Sequence, residues 1–218
     1  MKNNISLKPV ILGVSLGDPN SLSTYSGVPY HLFEEFRRMG CLAGVANSYL
    51  NKYIACFNGN IDIHRSLQHF RIKPNALWRF RKRGMDILSK HFQTIQSKCP
   101  PHNVVFQIGV GALPKPDVKL VAHVEISVAT AIRTEIFAKS YGFWGHKPEH
   151  VKEAIEGEKR FLERCSFVWT NSRWTAEGLY EQGLEDKRIK IYPPAAGIAD
   201  PGNIERDWNK CQDRKSVV

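Results

Sequence analysis

Apolar and polar positions along this chain change period several times, and the changes mark out alternating strands and helices. Residues 10–16 form a short apolar run closed by Gly17-Asp18-Pro19, which predicts a buried strand followed by a loop. Leu32, Phe33, Phe36 and Met39 then recur at helical spacing, with Ser26 expected to cap that helix and Gly40 to end it. A second strand is predicted at 41–46. From 76 to 98 the residues Leu77, Phe80, Met85, Leu88, Phe92 and Ile95 again follow a helical period with basic residues on the other faces, which predicts a basic amphipathic helix ending before Pro100-Pro101. Strands follow at 104–108 and 119–126, then helices at 128–140 and 149–164, the second opening on Pro148. A strand at 167–170, a helix over 174–182 capped by Ser172 and stopped by Gly183, and a strand at 188–192 complete the pattern.

Alternation of this kind predicts an α/β fold: a doubly wound, mostly parallel Rossmann-like sheet with helices on both faces. At 218 residues, with no internal repeat, the chain suits one core, placed here at 1–198. Beyond it, the bend at 193–197 and the polar run at 202–214 predict a linker over 199–218. The strand-like ending Ser216-Val217-Val218 predicts a further domain after it.

Composition narrows the class. A chain with 42% hydrophobic and 24% charged residues is globular rather than fibrous or disordered. No run approaches the ~20 apolar residues that span a bilayer. The 10–16 segment carries Gly13 and Ser15 and lacks a small-residue cleavage site after it, so it reads as a strand rather than a signal peptide, and the expected location is the cytoplasm. Cys41, Cys56, Cys99, Cys165 and Cys211 are odd in number and widely spaced without a CxxC pair, which argues against a disulfide framework.

The formal net charge of +10 is unevenly placed. Between His64 and Lys98 there are nine Lys or Arg (Arg65, Arg71, Lys73, Arg79, Arg81, Lys82, Arg83, Lys90 and Lys98) against the single acid Asp86. A solvated helix face accounts for such a run. The competing expectation is a non-catalytic module that lies peripherally on an anionic membrane surface through 64–98. Nucleic acid ranks below lipid, because no reading motif accompanies the charge.

In an open parallel sheet, ligands bind where strands end and helices begin. The candidates at those ends are Gly17, Asp18, Ser26 and Gly27, then Gly109 and Gly111, then His123 and Glu125, then Asn171 and Ser172. Ser26-Gly27 at a helix start offers a hydroxyl and room for an anion. His123 and Glu125, two apart, point the same way from a strand end and are placed to touch one substrate. A dinucleotide fingerprint is absent: Gly109-Val110-Gly111 begins one, but Pro114 takes the place of its third glycine, and no Walker-type loop occurs. Pro148 interrupts His146 and His150, and His64 and His69 are five apart, so no metal site is predicted.

Three ordered segments carry a resemblance to a known family. Ser26-Gly27-Val28-Pro29 with the following helix and Met39-Gly40 is one. The second runs from Phe167-Val168-Trp169-Thr170-Asn171-Ser172-Arg173-Trp174 to Leu179. The third is Arg188-Ile189-Lys190-Ile191-Tyr192-Pro193-Pro194-Ala195-Ala196-Gly197. Over about residues 10–198 they resemble the N-terminal, acceptor-side half of retaining GT-B glycosyltransferases of family 4. The resemblance implies sugar transfer from a nucleotide-sugar co-substrate to an acceptor hydroxyl, without a metal or other cofactor. It implies catalytic roles for His123 and Glu125, where many family members have Asp at the second position. It implies contacts with the acceptor or the donor phosphates for Ser26 and Gly27, and the strand-end residues Asp18, Gly109, Asn171 and Ser172 are expected to bind substrate with them. The family keeps its main nucleotide contacts, including two glutamates seven apart, in a second Rossmann-like domain, so the isolated half is expected to be inactive.

Overall fold

A computed structural model of the chain describes residues 8–50 and 76–192. The first part of the basic segment with Arg65, Arg71 and Lys73, the bend at 193–197 and the linker at 199–218 lie outside the described residues, as do Cys56 and Cys211.

Six parallel strands form one sheet among the described residues: β1 Ile11–Ser15, β2 Leu42–Asn47, β3 Val104–Ile108, β4 Lys119–Val124, β5 Cys165–Thr170 and β6 Ile189–Ile191, in the order β2-β1-β3-β4-β5-β6. All five pairings are parallel. The helices are α1 Val28–Arg38, α2 Lys82–Gln96, α3 Val128–Ala131, α4 Glu135–Ser140, α5 Pro148–Arg164 and α6 Arg173–Glu181. The fold is therefore the expected doubly wound α/β sheet, with every strand pair parallel. No described helix is long and apolar enough to cross a membrane.

Strand order decides where the helices lie. From β1 the chain steps one way to β2 through α1; from β2 it crosses past β1 to β3 and then continues the other way. Right-handed crossovers in opposite directions put their helices on opposite faces. So among the described helices α1 alone packs on one face, where Phe33 and Phe36 meet Ile11, Phe106 and Ile108, while residues of α2, α3, α5 and α6 share the larger core on the other. Gly13 lets α1 sit close, because a Cβ there would meet the Phe33 ring at 2.7 Å.

Two predicted helices are broken. Residues 78–80 form a separate 3-10 turn, and Arg81 is extended before α2 begins. The turn folds back on the helix because Gly84 has no side chain to strike the Trp78 carbonyl. The stretch predicted at 128–140 divides into α3 and α4, since Thr134 is extended and its hydroxyl accepts the Phe137 N–H, starting a new helix. Met39, expected on the buried stripe of α1, is exposed beyond its end. Elsewhere the local signals hold: Pro148 opens α5, Ser172 accepts the Thr175 N–H to cap α6, and Gly183 follows it with φ +88°. Arg188 precedes β6 and donates instead to the carbonyls of Leu162, Glu163 and Cys165 at the C-terminal end of α5.

Candidate functional site

Because β1 and β3 are neighbours whose following chains depart in opposite directions, a crevice opens beyond their carboxyl ends. The loop after β1 forms one wall. Its first residues are tied down: Ser15 Oγ donates to the Gly17 carbonyl at 2.9 Å, and the Gly17 N–H donates to Asn47 Oδ1 at 3.1 Å, joining the ends of β1 and β2. Asp18 accepts the Asn20 N–H through Oδ1 at 2.9 Å, so this exposed carboxylate also shapes the turn.

The same loop ends on three consecutive left-handed residues, Tyr25 (φ 46°), Ser26 (φ 54°) and Gly27 (φ 81°). For residues with a side chain this conformation costs about 1–2 kcal/mol each. Gly27 occupies the N-cap of α1, and no side chain caps that helix. The expectation that Ser26 caps α1 is thus corrected. A capping hydroxyl needs an extended backbone to reach the first N–H groups, as Ser172 has at φ −149°, ψ 156°, and left-handed Ser26 lacks it.

The second wall is the loop after β3. Gln107, fully buried, holds it from beneath: in its hydrogen-bonding orientation the amide donates to the Ala112 carbonyl at 2.8 Å and accepts from the N–H groups of Gly111 and Ala112 at 3.2 Å. Gly109 is left-handed, and its N–H donates to the His123 carbonyl at 2.8 Å, so that N–H is already engaged. The Tyr25 hydroxyl lies 3.6 Å from where a Cβ on Gly109 would stand, which brings the two loops together.

Register places His123 beside Ile108 and Trp169, on the α1 face at the carboxyl end of β4. Its Nε2 lies 2.7 Å from Asn171 Oδ1. An amide oxygen only accepts, so Nε2 carries the hydrogen, and in the neutral ring Nδ1 keeps its lone pair. Asn171 therefore holds the imidazole directly. Glu125 is exposed, with its carbonyl accepting the Thr175 hydroxyl at 2.8 Å. Partial burial, then the Glu125 carboxylate, then the Tyr25 phenol push the Tyr141 hydroxyl above its ordinary pKa, which keeps it a hydrogen-bond donor.

The Glu125 carboxylate and the Tyr25 phenol thus lie within electrostatic range of the Tyr141 hydroxyl. A carboxylate acceptor beside phenolic donors suits a polyhydroxylated ligand. Two of the three, Tyr25 and Tyr141, do not figure among the residues picked from sequence; the only local sign of either is its position just before a turn, one before Ser26-Gly27 and the other before Gly142. Ser172 hydrogen-bonds Thr175 and serves α6. His146 approaches the Gly142 carbonyl, and no group of three or more metal-ligating residues occurs among the described residues. Burial pushes the Cys165 thiol up to about 12, which keeps it inert.

Fold and site together define a doubly wound parallel α/β protein with a polar crevice at its strand-order switch point. Compared with known proteins, the chain matches no family model and no curated protein.

Proposed function

We propose that this chain is the acceptor-side half of a GT-B retaining glycosyltransferase, moving a sugar from a nucleotide-sugar donor to an acceptor hydroxyl. The observation that carries the reading is the imidazole of His123, fixed by Asn171 at the carboxyl end of β4, with Glu125 exposed two residues further on. Retaining transfer needs the acceptor hydroxyl and the departing diphosphate held on one face of the donor sugar, with fixed donors ready for the developing charge. In this reading His123 Nδ1 accepts a hydroxyl of the reacting sugar. Glu125 and the two tyrosines hold the acceptor's hydroxyls, and Ser26 and Gly27 border the diphosphate at the start of α1. A second domain supplies the remaining nucleotide contacts.

The rival reading, a non-catalytic module binding lipid or nucleic acid through 64–98, has a geometric difficulty. Met85, Leu88 and Phe92 of α2 are in the core, which leaves only the charged face of that helix, with Lys82, Arg83 and Lys90, for a partner.

The test is transfer by a chain carrying both halves, offered a panel of UDP-, GDP- and CMP-sugars, with the anomeric configuration of the product read by NMR. His123→Ala is expected to lower kcat about 100-fold or more. Asn171→Ala, which frees the ring without removing it, is expected to cost about tenfold. A two-domain chain that turns over no nucleotide sugar, or a His123→Ala variant with full kcat, refutes the reading.

A further inference from the structure

On the α1 face of the sheet, one row of residues crosses β4, β5 and β6 at the carboxyl end. Register sets His123 beside Trp169, and Trp169 beside Lys190. Neighbouring parallel strands stand about 4.8 Å apart and residues paired in register share a face, so the indole has the imidazole on one side and the lysine on the other.

That indole is held in place. Its ring meets buried Phe106 at 5.0 Å, nearly edge-on, and Tyr192 at 4.9 Å. Phe106 is anchored in turn by Phe36 of α1 at 5.3 Å. The Tyr192 N–H donates to the Thr170 carbonyl at 2.9 Å, which carries the β5–β6 pairing one residue further and fixes where the Tyr192 side chain starts. Yet Trp169 is only partly buried, and Tyr192 is 53% exposed. Rings that are both fixed and wet give a ligand contact area at little cost in side-chain entropy.

The neighbours of the rings select the ligand. Small-molecule sites combine an apolar floor with a few placed polar groups. A pyranose has a face of C–H bonds that lies flat on an indole and a rim of hydroxyls, each able to give or accept a hydrogen bond. Here His123 offers an acceptor at Nδ1, because Nε2 donates to Asn171, and exposed Lys190 offers donors. Nucleobases stack on aromatic rings as well, but the rings of Trp169 and Tyr192 are tilted by 46°, which makes a shallow corner suited to a puckered ring rather than a flat one.

We propose that Trp169, with Tyr192 beside it, is the platform on which a sugar ring of the acceptor stacks, so that the acceptor is a saccharide rather than a simple alcohol. Placing the acceptor there rests on the glycosyltransferase reading, whereas the binding of a saccharide stands on this row of residues alone. The stacked ring lies next to His123 and the reacting sugar.

Binding is tested first without turnover, by saturation-transfer NMR on the 218-residue chain. The probes are the methyl glycosides of glucose, galactose, mannose and N-acetylglucosamine, with glycerol and uridine for comparison. At least one glycoside is expected to receive saturation at its ring C–H protons, and glycerol none. Trp169→Ala is expected to lower that signal about fivefold or more, Trp169→Phe to keep most of it, and Tyr192→Ala, at an exposed position, to lower it about twofold. Circular dichroism checks the fold of each variant. In a chain carrying both halves, Trp169→Ala is expected to raise the acceptor KM about tenfold with kcat and the donor KM nearly unchanged. The proposal is overturned by a chain that binds no glycoside, by parental binding in folded Trp169→Ala and Tyr192→Ala, or by uridine binding that depends on Trp169 in place of glycoside binding, which assigns the platform to a nucleobase. Transfer with an acceptor KM untouched by Trp169→Ala overturns the platform and leaves the glycosyltransferase reading standing. Glycoside binding that depends on Trp169, in a two-domain chain without transferase activity, does the reverse.

Discussion

On the α1 face of the sheet a single described helix covers β1 to β3, and a row of aromatic rings continues past it. Phe36 meets Phe106 at 5.3 Å, Phe106 meets Trp169 at 5.0 Å, and Trp169 meets Tyr192 at 4.9 Å, by which point the rings are half-exposed or exposed. On the opposite face α2, α3, α5 and α6 close over Leu12, Val14, Leu120, Val124 and Val168, and Phe161 of α5 is fully buried. The difference separates two tasks. Among the described residues packing is concentrated on the closed face, while the imidazole of His123 stands at the carboxyl edge of the more open one. Each face also holds a carboxylate in a contrasting state. Glu125 is exposed at the crevice, whereas Glu158 is fully buried and accepts the Val128 N–H at 2.8 Å, capping α3 from the core.

The sharpest way to break this comparison is to remove one aromatic ring from each face. Phe161→Ala is expected to cost about 3–5 kcal/mol, through lost burial and the cavity left behind. Phe167→Ala, on the open face, is expected to cost less than about 1 kcal/mol. Urea unfolding of the two variants decides it, and equal losses would mean that the open face is covered in solution.

A pH series probes the buried acid. Desolvation raises the Glu158 carboxyl from 4.5 to about 8, against the opposing pull of the Val128 N–H and Arg79. Gln182 Oε1 is buried without a donor among the described residues, and the amide lies beside this carboxyl. The Gln182 side chain donates to the carboxylate and also opposes the rise. Since the folded chain holds the proton more tightly than the unfolded one, the stabilisation is complete below pH 4.5 and is lost as pH rises through about 8. The slope approaches ~1.4 kcal/mol per pH unit, so thermal stability is expected to fall by about 2–3 kcal/mol between roughly pH 5.5 and 7.5. Glu158→Gln should flatten that profile, whereas Glu125→Gln should leave it as it is.

The smallest effect compares the two serines that were alike in sequence. Ser172→Ala is expected to cost about 1 kcal/mol as a lost helix cap. Ser26→Ala should cost nearly nothing, and Ser26→Gly should stabilise by about 1 kcal/mol by relieving the left-handed backbone. Thermal melts of the three variants measure this directly, and a cost for Ser26→Ala near that of Ser172→Ala would restore Ser26 as a cap.

Local order was legible in the amino-acid sequence. Apolar runs at 104–108 and 119–126, the second two residues longer than β4, Pro148 at a helix start, and Ser172 and Gly183 around α6 each act within a few residues, so periodicity and end signals found the strands, most helices and the parallel class. His123 and Asn171 were both picked as strand-end residues, yet not as partners. They lie 48 residues apart and meet only because β4 and β5 pair in register. Tyr25 and Tyr141 escaped notice for the same reason, since their nearness to Glu125 depends on loops converging over the sheet. Tertiary structure likewise decided that residues 25–27 turn left-handed, that Gly84 admits a 3-10 turn against α2, and that α1 packs on the face opposite the other described helices of the core. Local pattern encodes which segments become strands or helices; the handedness of crossovers and the strand register decide which of their ends meet.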